Sequence, residues 1–495
     1  MSSVGSILTN QGALDALQSI SNTSNTNDTL EAQLSSGLAI NSPADNPAGY
    51  ITAQGFTSQL NGINQAVSNA NQGVSLLQTA QGALNQQVSI VQKLNSIAVQ
   101  AANGTQTSQE ETSLQNVVSQ LTSQVDTIAT QTQFNNINLL DGTFTGVQFQ
   151  VGANEGQTIS LSISSTKANA IGLNASTVKF TASSVYNTVN TASSASGAIS
   201  KGTPGSAVGA FTAGTVGFTG NNGGTGSYTV AKNTSAASIS AQINAVSGTT
   251  GISAQATTKI TFAATAGSGS GATSGFSFKL AGSGGSSNAQ QITAKNVTDL
   301  VSEINGKTAS TGVTASLNTS SQLVLTQSNG QNILITKATA GSLATTGSTP
   351  VKLGTAGSAS ATIQGQVAFQ SSDAFSLSNA ADIGLNTAST LSSLSNVNVT
   401  TTAGANSAIN VVKFALQGLG NAGGELGAVQ QRLQANINNL NTTGQNLNSA
   451  LGVVQDANIP QVSNSLTESQ IQAQAGVAAL KSSTTLQQSF LSLLP

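Results

Sequence analysis

The sequence predicts a multidomain α+β fold. Its expected frame is a long α-helical, coiled-coil-like bundle formed by paired N- and C-terminal segments, carrying a β-rich central insert with two repeated small α+β modules. Three observations predict it. Apolar stripes at helical spacing run through both ends of the 495-residue chain. Between about residues 144 and 400 that periodicity gives way to Gly, Ser and Thr with short alternating runs. Inside this stretch one pattern recurs at an offset of 61 residues.

The first stripe comprises Leu60, Ile63, Val67, Ala70, Val74, Leu77, Leu84, Val88 and Val91, at intervals of three and four, with a polar interruption at Gln81. A matching stripe, Leu426, Val429, Leu433, Ile437, Leu440, Leu447, Leu451 and Val454, lies near the other end and breaks near Thr443 and Gly444. Each is too narrow to hold a helix alone, so the two segments are expected to pack on each other, with everything between them looped out. Asn103-Gly104-Thr105 reads as a turn. Ser108-Gln109-Glu110-Glu111 then reads as a capping box, with Ser108 as the cap and Glu111 reaching back, before a helix through Leu114, Val118, Leu121, Val125 and Ile128. Glu110 and Glu111 are neighbours on a helix and point in different directions, which favours capping over paired acid chemistry. Turn signals from Asn135 to Asp141-Gly142 close the segment.

In the insert, Lys259-Ile260-Thr261-Phe262 and Gln322-Leu323-Val324-Leu325 read as strands. The repeat sets Ser235-Ala-Ala-Ser-Ile-Ser-Ala-Gln-Ile-Asn244 and Gly251-Ile-Ser-Ala254 against Asn296-Val-Thr-Asp-Leu-Val-Ser-Glu-Ile-Asn305 and Gly312-Val-Thr-Ala315. Each unit reads as a short helix followed by a hairpin, over about 224–265 and 290–336. Gly267-Ser-Gly-Ser-Gly-Ala272 satisfies the dinucleotide spacing G-x-G-x-x-A, but Phe276-Ser-Phe-Lys-Leu280 reads as a strand where that motif needs a helix, so a hairpin loop is expected. The expected domains are an N-terminal arm (1–46), an N-terminal helical domain (47–143), the insert (144–400), a C-terminal helical domain (401–455) and a C-terminal arm (456–495).

Composition narrows function. The chain has no cysteine, histidine or tryptophan, and 6% of it is charged, with 14 basic and 16 acidic residues, against roughly 25% in ordinary domains. Zinc sites of Cys and His, His-assisted nucleophiles and disulfides are therefore excluded, leaving only an all-carboxylate metal site open. No catalytic, metal-binding or cofactor-binding residue is expected, and no cofactor. A net charge of -2 with Arg432 as the one arginine offers no nucleic-acid footprint. No apolar run reaches the roughly 18 residues that would predict membrane insertion. Met1–Ile20 lacks the basic start and apolar core of a secretory signal, so any passage out of the cell is expected to use another route. Sequons such as Asn174-Ala-Ser and Asn318-Thr-Ser accordingly carry little weight, and the Ser/Thr-rich insert reads first as a soluble spacer.

Leu34-Ser-Ser-Gly-Leu-Ala-Ile-Asn41-Ser-Pro-Ala-Asp45-Asn-Pro-Ala-Gly49 closely resembles the N-terminal signature of bacterial flagellins. Asn69-Ala-Asn-Gln-Gly-Val-Ser-Leu76, Ala98-Val-Gln-Ala-Ala-Asn-Gly-Thr105 and Thr132-Gln-Phe-Asn135 continue the likeness, as do Gly427-Ala-Val-Gln-Gln-Arg432-Leu, Gln455-Asp-Ala457, Gln474-Ala-Gly476 and Leu491-Ser-Leu-Leu494. The resemblance covers roughly the first 143 and last 95 residues, in family order. It implies a structural subunit, not an enzyme, that self-assembles into an extracellular helical filament used for swimming. Self-assembly residues are then expected at Leu34, Gly37, Leu38, Ile40, Asn41, Asp45, Gly49, Arg432, Leu433, Ile471, Ala475, Gly476, Leu491 and Leu494. The implied partners are further copies of the chain or sister flagellins, the flagellar export apparatus, a flagellin chaperone, and the filament cap and junction proteins. A hook-filament junction protein shares the paired-end plan, and a secreted adhesin would explain the insert, so both stand as alternatives.

Departures from the family pattern matter as well. Ala39 and Ala44 stand where flagellins often carry basic residues. An innate-receptor contact is implied around Gln92, Lys93 and Ile97, yet Lys93 and Asn95 replace two arginines and Val117 a glutamate, so strong receptor activation is not expected. The arms, about 1–33 and 462–495, set sparse apolar residues such as Leu14, Leu17, Ile20, Leu466, Ile471, Val477 and Leu480 among Ser, Asn, Thr and Gln, and are expected to fold only when neighbours supply the missing apolar face. Charge is sparse there and unevenly spread. Residues 1–143 hold one lysine and eight acids, 144–400 ten lysines and five acids, and 401–495 two lysines, Arg432 and three acids. Assembly through such arms should depend only weakly on ionic strength, which sedimentation of filaments across a salt series measures; a steep dependence would contradict it.

Overall fold

Polar but uncharged helices need their ends defined by caps, and the terminal segments supply them. The computed structural model describes residues 10–178, 186–187, 214–220, 223–230, 235–266, 275–282, 288–345, 352–353, 360–363, 365–378 and 388–491. Helices α1 (Gln11–Ser36), α2 (Pro47–Ala101) and α3 (Ser108–Gln131) open the chain. The insert contributes the short helices α4 (Ala236–Ala245), α5 (Ser247–Thr250), α6 (Val297–Gly306) and α7 (Thr308–Thr311), and α8 (Thr402–Gln455) and α9 (Ile459–Leu491) close it. Asn10 caps α1 by accepting the Ala13 N–H at 3.0 Å. Gly37 ends that helix in the left-handed region at φ 74°. Asn46 accepts the Gly49 N–H at 3.0 Å ahead of Pro47, the first residue of α2.

By packing, the chain divides into two compact units. One comprises Met1–Ala80, Phe144–Ser162 and Glu425–Pro495, the other Gln81–Thr143 and Ile163–Gly424. In the first unit Ile63, Ala70 and Leu77 of α2 are buried, as the expected stripe requires. Its second row differs. Leu60, Val67 and Val74 are only half-buried, and the fully covered row one position earlier is Ala66, Gly73 and Ala80. Small residues let a neighbour approach the helix backbone: a Cβ on Gly73 would stand 3.1 Å from Cδ1 of Leu433, and one on Gly62 2.9 Å from Cβ of Ala153. Leu433 on Gly73 and Ile63 beside Gly444 show the two distant segments packed as the stripes predict. Along the C-terminal stripe Leu426, Leu433 and Ile437 are buried and the remaining positions half-buried. Strands β1 (Gln133–Phe134) and β2 (Ile137–Asn138) belong to the second unit, whereas β3 (Val147–Gln150) and β4 (Thr158–Leu161) form a hairpin in the first, held to α2 by Asn69 Nδ2 donating to the Gln150 carbonyl at 3.1 Å.

In the second unit the two rows of α2 continue as Leu84, Val91, Ala98 and Gln87, Leu94, Ala101, all buried. Gln87 is satisfied on its donor side by the carbonyls of Val125 at 3.0 Å and Thr166 at 3.4 Å. The capping box of α3 sits one residue earlier than the sequence suggests. Thr107 is the cap, and Glu110 accepts its N–H at 2.8 Å while Thr107 Oγ1 accepts the Glu110 N–H at 3.4 Å. Both T-x-x-E and S-x-x-E spacings are present, and the frame that buries Val118, Thr122, Val125 and Ala129 selects the first. The Thr107 N–H, ahead of its hydroxyl, holds the Glu110 carboxyl below its usual range. Asn135 and Asn136, at φ 50° and 63°, form the two-residue turn between β1 and β2. The Thr143 hydroxyl and N–H, with Asn138, bring the Asp141 carboxyl down to about 2.

The insert is built from β5 (Gly172–Val178), β6 (Tyr186–Asn187), β7 (Gly214–Gly220), β8 (Thr225–Val230), β9 (Ser253–Thr265), β10 (Phe276–Ala281), β11 (Gln290–Ala294) and β12 (Val313–Leu317). It continues through β13 (Leu323–Gln327), β14 (Ile333–Ala340), β15 (Ser342–Thr345), β16 (Lys352–Leu353), β17 (Ser360–Ile363), β18 (Gln366–Ser371), β19 (Phe375–Ser378) and β20 (Thr390–Ser393). An eight-stranded sheet runs β12-β13-β9-β18-β5-β20 with β15 also paired to β9 and β16 paired to β15; a five-stranded sheet runs β11-β10-β14-β17-β6; and a three-stranded sheet runs β19-β7-β8. The expected short helix is present in both repeat units. The expected hairpin follows in the second, as β12–β13, but in the first β9 pairs with the distant β18. Phe276–Ala281 is a strand, and the Gly267–Ala272 motif lies outside the described residues.

Leu433→Ala should cost about 2–5 kcal/mol, since it empties a closed contact on Gly73. Val453→Ala, at a position 88% exposed, should change stability by less than about 0.5 kcal/mol. Urea unfolding followed by helical circular dichroism checks both.

Candidate assembly site

Helices α1 and α9 run antiparallel: Asn10 meets Ser483, with Oδ1 accepting the serine hydroxyl at 3.1 Å, and Ile20 meets Gly476. Their facing residues recur at three and four, which marks a coiled-coil seam. On α1 these are Ala13, Ala16, Ile20, Thr23, Asn27, Leu30 and Gln33, half-buried, and on α9 Val462, Leu466, Ser469, Ala473, Gly476, Leu480 and Ser483. The seam is thus mostly small or polar. A Cβ on Gly476 would lie 3.0 Å from Cγ1 of Ile20, so a larger residue there would push the helices apart. Asn27 Oδ1 and Ser469 Oγ, both buried on this seam, have no partner. Ile20, Leu30, Val462, Leu466 and Leu480 are the seam's large apolar members, and other large apolar side chains of the arms point elsewhere. Leu14 is 52% exposed, Leu17 50%, Ile471 61%, Val477 55% and Leu486 63%, and α1 contains no buried residue.

The N-terminal signature forms the base of this pair. After Gly37 the chain leaves the helix and bonds to the break between α8 and α9: Ala39 N–H donates to the Gln455 carbonyl at 2.7 Å, and Ala457 N–H to the Gly37 carbonyl at 2.9 Å, around a Leu38–Asp456 bridge. Gln33 Nε2 donates to the Ala39 carbonyl at 3.0 Å. Asp45 closes the following turn by accepting the N–H groups of Ser42 at 2.7 Å and Asn41 at 2.9 Å, and these bonds, Ser42 first, hold its carboxyl below the usual range. Ile40 is buried, and a Cβ on Gly49 would stand 2.5 Å from its Cδ1. The structure therefore brings Gly37, Leu38, Ile40, Asn41, Asp45 and Gly49 into one local assembly, with Leu34 a turn earlier and 38% exposed.

Other expected residues fall elsewhere. Arg432 is exposed and Leu433 buried on α8; Ile471 and Ala475 are exposed on α9, and Gly476 lies in the seam. For Leu491 only the backbone is described, and Leu494 lies outside the described residues. On α2, Gln92 and Lys93 are exposed whereas Ile97 is buried. Gln33, Asn46 and Leu486 were not singled out by sequence reasoning. The seven-residue recurrence of buried or half-buried positions, including Thr23, Asn27 and Ser469, is a signal that hydropathy alone passes over.

Residues 7–145 match the bacterial flagellin N-terminal helical region, 409–494 the bacterial flagellin C-terminal helical region and 276–329 the flagellin hook IN motif. The B-type flagellin of Pseudomonas aeruginosa is 30% identical across 98% of this chain and 99% of its own length. The chain belongs to the bacterial flagellin family. It is a structural subunit of the flagellar filament. The flagellin of Xenorhabdus nematophila is 38% identical over 34% of this chain and 53% of its own length. Among solved structures, FliC from Burkholderia pseudomallei covers 73% of this chain and 99% of its own, at 19% identity and a TM-score of 0.30. The flagellar junction protein FlgL from Legionella pneumophila covers 83% and 99%, at 12% identity and a TM-score of 0.29.

In this flagellin Gly49→Val should loosen the signature by displacing Ile40. Asp45→Asn should weaken the same turn at neutral pH. Because the folded Asp45 carboxyl titrates below its unfolded value, the turn's stabilisation is present above the ordinary carboxylate range and is lost as pH falls through the lowered value. Amide exchange at Asn41 and Ser42 between pH 7 and 3 checks this, and the Asp45→Asn protein should show no acid-dependent loss there.

Proposed function

We propose that the outward apolar residues of α1 and α9 are the contacts through which copies of this chain join in the filament, and that the arms become fully ordered only when those contacts form. One observation carries the reading: the paired arms turn mostly small and polar residues toward each other and leave Leu14, Leu17, Ile471, Val477 and Leu486 half or more exposed. Fully burying such side chains contributes about 1.5–3 kcal/mol each. Ordering backbone costs roughly 1–2 kcal/mol per residue, so a pair of arms covered only on its inner seam is poorly supported in isolation. Further copies, or sister flagellins, supply the missing cover. The same C-terminal surface suits a chaperone that shields it before export, and a chain with unfolded arms suits threading through the flagellar export apparatus to an extracellular filament bounded by cap and junction proteins. Low charge in the arms lets identical surfaces meet without repeated like-charge contacts.

Leu17→Asp and Ile471→Asp should each abolish filaments in electron micrographs while leaving the helical circular dichroism of the remaining chain unchanged. Lys295→Asp, at an exposed position of the insert, should leave assembly intact. Amide exchange should be rapid in both arms of the monomer and slow in filaments. Assembly-competent Leu17→Asp and Ile471→Asp proteins, or arms fully protected in the monomer, would overturn the reading.

A further inference from the structure

We propose that the segments 214–256 and 367–378 form a second copy of the module that contains the matched hook IN motif, split because the first lies inside its hairpin turn, and that each copy folds on its own core. Residues 257–366 are then a removable unit, and the outer module beneath them needs only a short turn to close.

Side-chain bonds identify the two copies residue by residue. Asn244 Nδ2 donates to the Ala254 carbonyl at 2.9 Å and its Oδ1 accepts the Ala254 N–H at 2.7 Å. Asn305, 61 residues on, does the same to Ala315 at the same two distances. Thr250 donates to the Val246 carbonyl and accepts the Ile252 N–H; Thr311 donates to the Lys307 carbonyl and accepts the Val313 N–H. Gly251 and Gly312 both take the left-handed conformation, at φ 67° and 68°. Before each helix stands a hairpin, β7–β8 or β10–β11, and at its first strand Gly220 or Gly282 passes too close to the carbonyl of Thr250 or Thr311 to accept a Cβ.

Strand register then locates the insertion. In the inner copy Ala315 pairs with Leu325 and Leu317 with Leu323, joined by the five residues Asn318–Gln322. In the outer copy Ala254 pairs with Phe369 and Ala256 with Val367. The 61-residue offset sets Ala254 and Ala256 on Ala315 and Leu317, so Phe369 and Val367 take the places of Leu325 and Leu323. Residues 257–366 therefore stand where the inner copy has its pentapeptide turn. The next strands agree: β14 returns beside β10 with Ile335 opposite Leu280, and β19 returns beside β7 with Leu377 opposite Phe218.

The cores divide along the same line. One cluster, including Phe218, Ile239, Ile243, Val367 and Phe369, draws no buried residue from between Ala256 and Val367. The other, including Phe262, Phe278, Ile304, Leu325 and Ile335, lies wholly between Ile260 and Ile363. They share no member. Among the described residues the copies touch where Gly330 packs on Ala256, its carbonyl accepts the Ala237 N–H at 3.0 Å, Gly365 approaches Ala236, and Thr258 Oγ1 donates to the Gln331 carbonyl at 2.7 Å. A chain emerging N-terminus first completes β10 to β14 before β18 and β19 exist, so the inner copy closes first.

Hydrogen–deuterium exchange by mass spectrometry on three full-chain variants tests this. Replacing residues 257–366 by Asn-Thr-Ser-Ser-Gln, the inner copy's own turn, should keep protection of peptides spanning 236–256 and 367–378 within about tenfold of the parent chain. Phe369→Asp should reduce protection of the outer peptides by 100-fold or more and leave those spanning 276–281 and 323–336 unchanged. Leu325→Asp should do the reverse. Loss of outer protection in the excised chain, or joint loss of both copies in either point variant, overturns the proposal.

Discussion

Between Gly37 and Ala39 the chain leaves one helix and bonds its backbone to Gln455 and Ala457, where another helix breaks. Leu38 and Asp456, 418 residues apart in sequence, meet at that point. The pairing sets α1 against α9, and the signature that makes it also starts α2. Each step has its own residue: Gly37 for the left-handed turn, Asp45 for the N–H groups of Asn41 and Ser42, Gly49 for the space that Ile40 fills. Loop-closure entropy grows slowly, by about 0.6 kcal/mol per doubling of length. Once the ends are clamped, the size of what is looped out between them matters little to the clamp.

The seams that extend from this point are built for closeness more than for hydrophobic bulk. Along α2 the row Ala66, Gly73 and Ala80 lets Leu433 reach the helix at Gly73. Between the arms Gly476 admits Ile20, and small or polar residues such as Ala13, Thr23 and Ser469 face one another beside Leu30, Leu466 and Leu480. The polar composition is accommodated locally: hydroxyls of Thr23, Thr52, Thr79 and Thr127 donate to carbonyls four residues earlier in their own helices. Helices can thus be rich in Ser and Thr, almost free of charge, and still satisfied. What stays unsatisfied is the outward apolar face of the arms, and the filament reading rests on it.

The insert follows a different logic, with cores rich in Phe, Ile and Leu, and helices of four to ten residues. Its long strand β9 serves two cores in succession, pairing through residues 253–257 with β18 and through 258–262 with β13. A strand used in this way joins two modules while leaving each its own interior. The insert therefore consists of units that differ in architecture from the terminal helices and keep separate cores.

Much of this was legible in the sequence because it depends on local chemistry. Helical period, the turn signals, the alternating strands and the 61-residue repeat need only near neighbours, and the paired stripes require a partner whose identity the second stripe reveals. The signature from Leu34 to Gly49 likewise announced its turn through Gly, Pro, Asn and Asp. Tertiary structure decided what local signals leave degenerate. Two capping spacings overlap at Thr107 and Ser108, and only the buried face of α3 chooses between them. Ala and Gly are faint in a hydropathy pattern, so the row that packs most closely on α2 was invisible beside Val67 and Val74. Alternation marks β9 as a strand without saying that its first half waits for β18, because strand pairing is a contact between distant segments. The same holds for the arms: sparse leucines are written in the sequence, but their outward direction follows from which small residues the two ends press together.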